Sequence, residues 1–144
     1  MYGQVVAVET NSGNVVFAGY FAGTVDFGAG PLTSVGPMDL VLAKHTPMGV
    51  CLWSKGFGGP GAGTVPKAVA LDTNGNIFVA GNFNASINLG GGALTNAGQN
   101  DIFFAKYSPI GQHLWSKAFT GAGADNLGSM AVDRNGDVIM VGTF

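Results

Sequence analysis

DLVLAKHTPMGVCLWSKGF at Asp39–Phe57 is matched without a gap by DIFFAKYSPIGQHLWSKAF at Asp101–Phe119. Trp115 minus Trp53 sets the offset at 62 residues. The match continues upstream, where FGAGPLTSVGPMD ending at Asp39 corresponds to LGGGALTNAGQND ending at Asp101. A further register joins AVETNSGNVVFAGYF from Ala7, ALDTNGNIFVAGNF from Ala70 and AVDRNGDVIMVGTF from Ala131, the first with one extra residue at Ser12. The chain therefore holds two full units, residues 5–63 and 64–125, and the opening of a third, residues 126–144.

Each unit reads as four strands. In the second they are KAVALD before the turn TNGN, IFVAGNF, DIFFAKYS before the turn PIG, and HLWSKAF. Asn-Gly at Asn74 and Gly75, and at Asn135 and Gly136, suits a tight hairpin turn because both residue types tolerate positive φ. Pro109 and Gly111 punctuate the third and fourth strands, as Pro47 and Gly49 do one unit earlier. The unit is then an antiparallel meander with an insert at residues 84–100, in which SINLGGGALT adds a small hairpin. The insert accounts for a period above the roughly 40 to 45 residues common in repeats of this kind. The 25 glycines are spread without a period of three, and no helical spacing of apolar residues persists beyond about ten residues, so the chain reads as all-β.

Runs such as IFVA and IFFA are apolar at consecutive positions, whereas a sheet with one wet face alternates. Both faces must be covered. A four-stranded sheet that repeats and is buried on both faces fits β-propeller blades stacked around an axis, here an open arc of about two and a half blades. A β-solenoid ranks second, because its coils repeat at about half this length and do not need two hairpin turns per unit. The third unit lacks its third and fourth strands, so the chain is expected to be a piece of a longer polypeptide whose remaining blades complete the ring.

Composition narrows the function classes. With 10% charged residues and a net charge of -2 there is no basic field for nucleic acid or anionic lipid. No apolar stretch approaches the roughly 18 residues of a membrane-spanning helix, and Met1 is not followed by a signal segment. Cys51 is the single cysteine and reads as a small buried hydrophobe.

The ordered set of an acidic residue with an NGN turn, VAG, D-x-F-x-AK and LWSK resembles the bacterial β-propeller repeats of the SBBP (seven-bladed β-propeller) type. The resemblance implies a blade scaffold found in large bacterial proteins, many of them secreted or at the cell surface, with no catalytic residues to carry over. A narrower similarity is to the tryptophan-docking spacing of quinoprotein propellers, in which Ala, Gly and Trp recur at fixed intervals. Here they are Ala43, Gly49 and Trp53, then Ala105, Gly111 and Trp115; the motif's Asp and Thr places hold His45 and Met48, then Tyr107 and Ile110. The spacing has a physical reading of its own. A Trp on the outer strand lays its ring against backbone of the neighbouring blade, Gly keeps the contact close, and the indole N–H finds a carbonyl. Both Trp are expected to be buried there. Gly19, Gly81 and Gly142 fall at equivalent places in the second strand, where close blade packing leaves no room for a side chain.

The remaining candidates read as structural. Glu9, Asp72 and Asp133 precede their turns, but DTNGNI has Gly at the fourth place and not the sixth that an EF-hand loop needs, so turn chemistry is preferred to calcium. His45 and His113 are not equivalent and have no companions at metal-ligand spacing. GFGGPGAG at Gly56–Gly63 lacks the Lys-Ser or Lys-Thr of a phosphate loop and precedes a strand, so it reads as a linker. Ser54 and Ser116 sit outside any nucleophile pattern.

The sequence thus indicates a non-catalytic propeller scaffold without cofactor or metal, whose inserts cluster on one rim and bind protein or glycan. A structural repeat of a filament or surface stalk is the alternative. A fragment of a quinoprotein-like enzyme is the second, but Arg134 is the single arginine available as a channel ligand.

Overall fold

The computed structural model describes residues 2–144, and every regular element among them is a β-strand. The first unit supplies β1 (Tyr2–Val8), β2 (Val15–Phe21), β3 (Thr24–Asp26), β4 (Pro31–Thr33), β5 (Asp39–His45) and β6 (Cys51–Phe57). The second supplies β7 (Thr64–Leu71), β8 (Ile77–Phe83), β9 (Ile87–Asn88), β10 (Ala93–Leu94), β11 (Asp101–Tyr107) and β12 (His113–Phe119). The third contributes β13 (Asn126–Val132) and β14 (Val138–Thr143). The long strands form open antiparallel sheets in the orders β1-β2-β5-β6, β7-β8-β11-β12 and β13-β14, while β3-β4 and β9-β10 are small hairpins inside the inserts. These are the meander blades of a propeller, arranged as an arc that does not close.

Turn chemistry fixes the register. Asn and Gly both tolerate positive φ, yet among the described residues only glycines adopt it, with Gly75 at 77° and Gly136 at 84°. The reason is a longer loop. Asp72 N–H donates to Asn76 O at 3.1 Å and Gly75 N–H to Asp72 O at 3.0 Å, so Thr73 and Asn74 make an ordinary turn and Gly75 alone takes the left-handed corner. The Asp72 carboxylate completes it by accepting the Asn74 and Asn76 amides, both at 2.9 Å.

The consecutive apolar runs are explained by two seams. Val79, Phe83, Phe103 and Ala105 face the first blade and pack with Val16, Ala18, Leu40 and Leu42. The alternate residues Phe78, Ala80, Ile102 and Phe104 face the third unit and pack with Leu127, Met130 and Met140. The middle blade is buried on both sides. Its first strand β7 touches both β1 and β13, so the first strands stand nearest a common axis. The β1–β2, β5–β6, β7–β8, β11–β12 and β13–β14 turns then share one edge of the arc, and the inserts occupy the other.

The insert is not a free rim loop throughout. Ile87 and Leu89 are fully buried in the seam with the first blade, against which Phe57 packs, and Asn88 N–H donates to Gly58 O at 3.0 Å. The glycine-rich tip remains in solvent, as do Asn84, Ser86 and Asn88 beside it. Alternation of Ile87 and Leu89 around a polar residue makes this hairpin a wedge between blades.

Candidate functional site

Two constellations gather on the turn-bearing edge: the seam between the first two blades, and a cavity at the axial ends of the first strands.

At the seam the outer strand of one blade meets a turn of the next. Trp53 Nε1 donates to Pro109 O at 3.2 Å, and a Cβ on Gly111 would stand 3.1 Å from the Trp53 ring. Gly111 has φ of 76°, which a side-chain-bearing residue rarely adopts, so conformation and close approach both require glycine there. Ala43 and Ala105 are fully buried mid-strand. Gly49 occupies the equivalent turn with φ of 82° and nothing within 4 Å of its would-be Cβ. Trp115 lies edge-on to Phe104 at 4.8 Å and to Phe78 at 6.4 Å, both in its own blade. Both indoles are half-buried, less than the sequence reading expects, because each sits on the outermost strand of its sheet.

The same carbonyl has a second donor. Lys44 Nζ, buried, donates to Pro109 O at 3.3 Å and pairs with Glu9 Oε1 at 3.0 Å. Burial pushes the Glu9 carboxyl up, but hydrogen bonds from Ser12, Lys44 and Asn14, with the Lys44 charge, outweigh it and hold the group below its ordinary 4.5. The pattern recurs one unit on, where Lys106 Nζ stands 3.5 Å from Asp72 Oδ2 and 4.6 Å over the Phe78 ring. Burial raises Asp72 too, and is outweighed by the Asn76 side chain, the Asn76 and Asn74 amides and the Lys106 charge, so its pKa is lowered. These lysines and their acids were missed as pairs. The signal was present: an acid before the first turn and AK in the third strand, both repeated.

The glycines of the second strand are crowded from within their own blade. A Cβ on Gly81 would lie 2.2 Å from Val65 O, on Gly19 2.5 Å from Tyr2 O, and on Gly142 2.3 Å from Asn126 O. Each pairs with the first strand just before a β-bulge, Gly3/Val5, Pro66/Ala68 or Leu127/Ser129. The bulge, and not the neighbouring blade, occupies the space.

On the opposite edge the buried Asp39 and Asp101 clamp loops. Asp39 accepts the Val35 amide at 2.7 Å and the Gly36 amide at 3.0 Å, and Asp101 accepts Ala97 at 2.6 Å and Gly121 at 3.2 Å. The linker glycines follow from this. A Cβ on Gly58 would fall 2.1 Å from Asp39 Oδ1 and one on Gly59 2.1 Å from Ser86 O. Asn82, also buried, bridges the second seam by donating to Asp125 O at 2.8 Å and accepting the Leu127 amide at 3.3 Å.

The cavity, of about 310 Å³, is lined by equivalent positions of the three units: Val8, Leu71 and Val132, then Asp72 and Asp133, then Thr10, Thr73 and Arg134. Asp133 caps its own turn, with Oδ1 accepting the Asn135 and Asp137 amides at 2.8 Å. The other candidates are dispersed. His113 meets Ser116 Oγ at 3.1 Å, His45 lies edge-on to Phe27, and Ser54 Oγ is buried without a partner among the described residues. Cys51 is half-buried and its thiol is raised by burial. Among the described residues no group of three His, Cys, Asp or Glu gathers as metal ligands, and no helix is long and apolar enough to cross a membrane.

Residues 52–87 match the family model of the SBBP β-propeller repeat, a span running from β6 across the seam to β9. The chain is also 28% identical over 120 residues to an uncharacterized WD repeat-containing protein of Acanthamoeba polyphaga mimivirus, an alignment covering 78% of this chain and 9% of that protein. The chain thus spans a small part of that relative's length, and its match to the β-propeller repeat lies at residues 52–87.

Proposed function

We propose that these β-propeller blades form a non-catalytic scaffold that binds a protein partner on the turn-bearing face. The observation that carries this is a repeated exposed aliphatic residue. Met48 and Ile110 occupy the same position of the β5–β6 and β11–β12 turns and stand 89% and 73% exposed. Single exposed apolar residues are ordinary on surfaces, but packing does not account for the same one recurring at the tip of each held turn. The turns are rigid, since Thr46 and Ser108 cap them through hydrogen bonds to the Val50 and Gln112 amides, both at 3.1 Å. Preorganised apolar tips bind at low entropic cost.

Protein is preferred to glycan because sugars are gripped by flat exposed aromatic faces, and the Trp53 and Trp115 rings are committed to Gly111 and Phe104. A scaffold is preferred to an enzyme because the acids and lysines that meet, Glu9 with Lys44 and Asp72 with Lys106, are consumed by turns and ion pairs. WD repeats in the relative's name agree with a scaffold. The docking roles of Ala43, Gly49, Trp53, Ala105, Gly111 and Trp115 belong to the same proposal, supported by Trp53 meeting Gly111 and Pro109 across the seam.

The test is affinity capture with cross-linking, comparing wild type with the Met48→Ser, Ile110→Ser double variant. A defined protein is expected to be retained by the wild type and lost by the variant at unchanged melting temperature. Equal recovery by both would refute it.

A further inference from the structure

We infer that the axial cavity is a site for a small zwitterion carrying an aliphatic group, the chemistry of a free aliphatic α-amino acid, independently of the proposed protein-binding tips. The cavity of about 310 Å³ falls at the small end of the range of ligand pockets. Its walls present both signs of charge. Arg134 lines it, and among the described residues no ion pair or hydrogen bond engages the guanidinium. Asp133 lines it too, and the two do not pair although they are chain neighbours.

Asp72 differs, because Lys106 and Asn76 already face its Oδ2. Asp133 has only Asn135 Nδ2 at 3.3 Å on that oxygen, and no lysine. One cation and one anion without an ion pair therefore share the cavity, while the third charge on its lining, Asp72, is matched from outside by Lys106. A purely anionic or purely cationic ligand would satisfy one and be repelled by the other. A molecule bearing a carboxylate and an ammonium satisfies both through charge-assisted hydrogen bonds. The hydroxyls of Thr10 and Thr73 are further partners on the lining for the carboxylate, and Val8, Leu71 and Val132 supply its aliphatic part for an alkyl side chain. These positions repeat, so the mixture of polar and aliphatic lining is a property of the blade ends and not of one loop.

The experiment is a titration of the whole isotopically labelled chain, followed by amide chemical shifts, with L-leucine as probe. L-Leucine is expected to move the Thr10, Thr73 and Arg134 amides in a saturable way. Its halves, 4-methylpentanoate and 3-methylbutylamine, should bind at least about tenfold more weakly, since each loses a charge-assisted hydrogen bond. Arg134→Gln should weaken L-leucine about tenfold with the remaining spectrum unchanged, and Arg134→Lys should recover part of the loss. Met48→Ser with Ile110→Ser should leave the titration as it is, which separates this site from the protein-binding reading. Absence of saturable shifts with L-leucine, equal binding of either half-molecule, equal binding of glucose, or indifference to Arg134→Gln would each overturn the assignment.

Discussion

Gly81 has no alternative residue. Its would-be Cβ lies 2.2 Å from Val65 O and 2.7 Å from Pro66 Cα, both backbone, so nothing can swing aside. Gly81→Val should cost more than about 3 kcal/mol, above the usual range for overpacking, read as a shift of the urea midpoint; a change below about 1 kcal/mol would show that the bulge yields. Equivalence of Gly19, Gly81 and Gly142 was legible from the repeat. The atom that excludes a side chain was not, because a bulge is a backbone event and leaves no letter of its own. Likewise the Trp53 position could be read from LWSK, whereas its acceptor, the carbonyl of Pro109, is invisible in side-chain chemistry. Glu9 gives the pH dependence at this scale. Its pKa is lower in the folded chain than its ordinary 4.5, so the unfolded chain binds the proton more readily. The stability it contributes is present above the ordinary value and is lost as pH falls through the folded one. Urea midpoints between pH 7 and pH 3 should fall less for Glu9→Gln than for wild type. Identical profiles would show that the Lys44 pair adds nothing.

At the scale of the element the insert hairpins carry a double role. SINLGGGALT announced a hairpin by its glycines, and the structure places β9 and β10 there, with Gly90 and Gly92 at positive φ and their amides held by Asn88 Oδ1 at 2.8 and 3.3 Å. What the letters did not reveal is the wedge, because the blade that buries Leu89 lies in another part of the chain. Tyr107 adds to it from the third strand by donating its hydroxyl to Leu89 O at 2.8 Å. Leu89→Ala should therefore destabilise by about 2 to 5 kcal/mol, as a fully buried leucine does. Ala29→Ser, at the exposed tip of the first insert between Gly28 and Gly30, should stay within about 0.5 kcal/mol. Comparable effects at the two places would mean that the hairpins are not seated in the seams. The alternation at the start of the hairpin, with Ile87 buried, Asn88 exposed and Leu89 buried, is the pattern that would have disclosed the wedge.

For the whole molecule the 62-residue offset, the four strands and the turns were legible because local chemistry repeats with the unit. The axial cavity was not, since Thr10, Thr73 and Arg134 look unremarkable in sequence and meet only when the first strands converge. In stacked repeats each unit draws stability from its neighbours. Amides of β8 and β11, covered on both faces, should exchange with solvent more slowly than those of β14, whose Ile139 and Val141 are exposed. Uniform exchange across the three sheets would argue against seams of this kind. The central claim is that successive units dock face to face as blades through the Trp53 seam. It is tested most directly by the nuclear Overhauser spectrum of the Trp53 ring. Blade docking predicts cross-peaks from the indole ring to the Gly111 α-protons and a hydrogen-bonded indole N–H; a ring that contacts only residues of its own unit would contradict it.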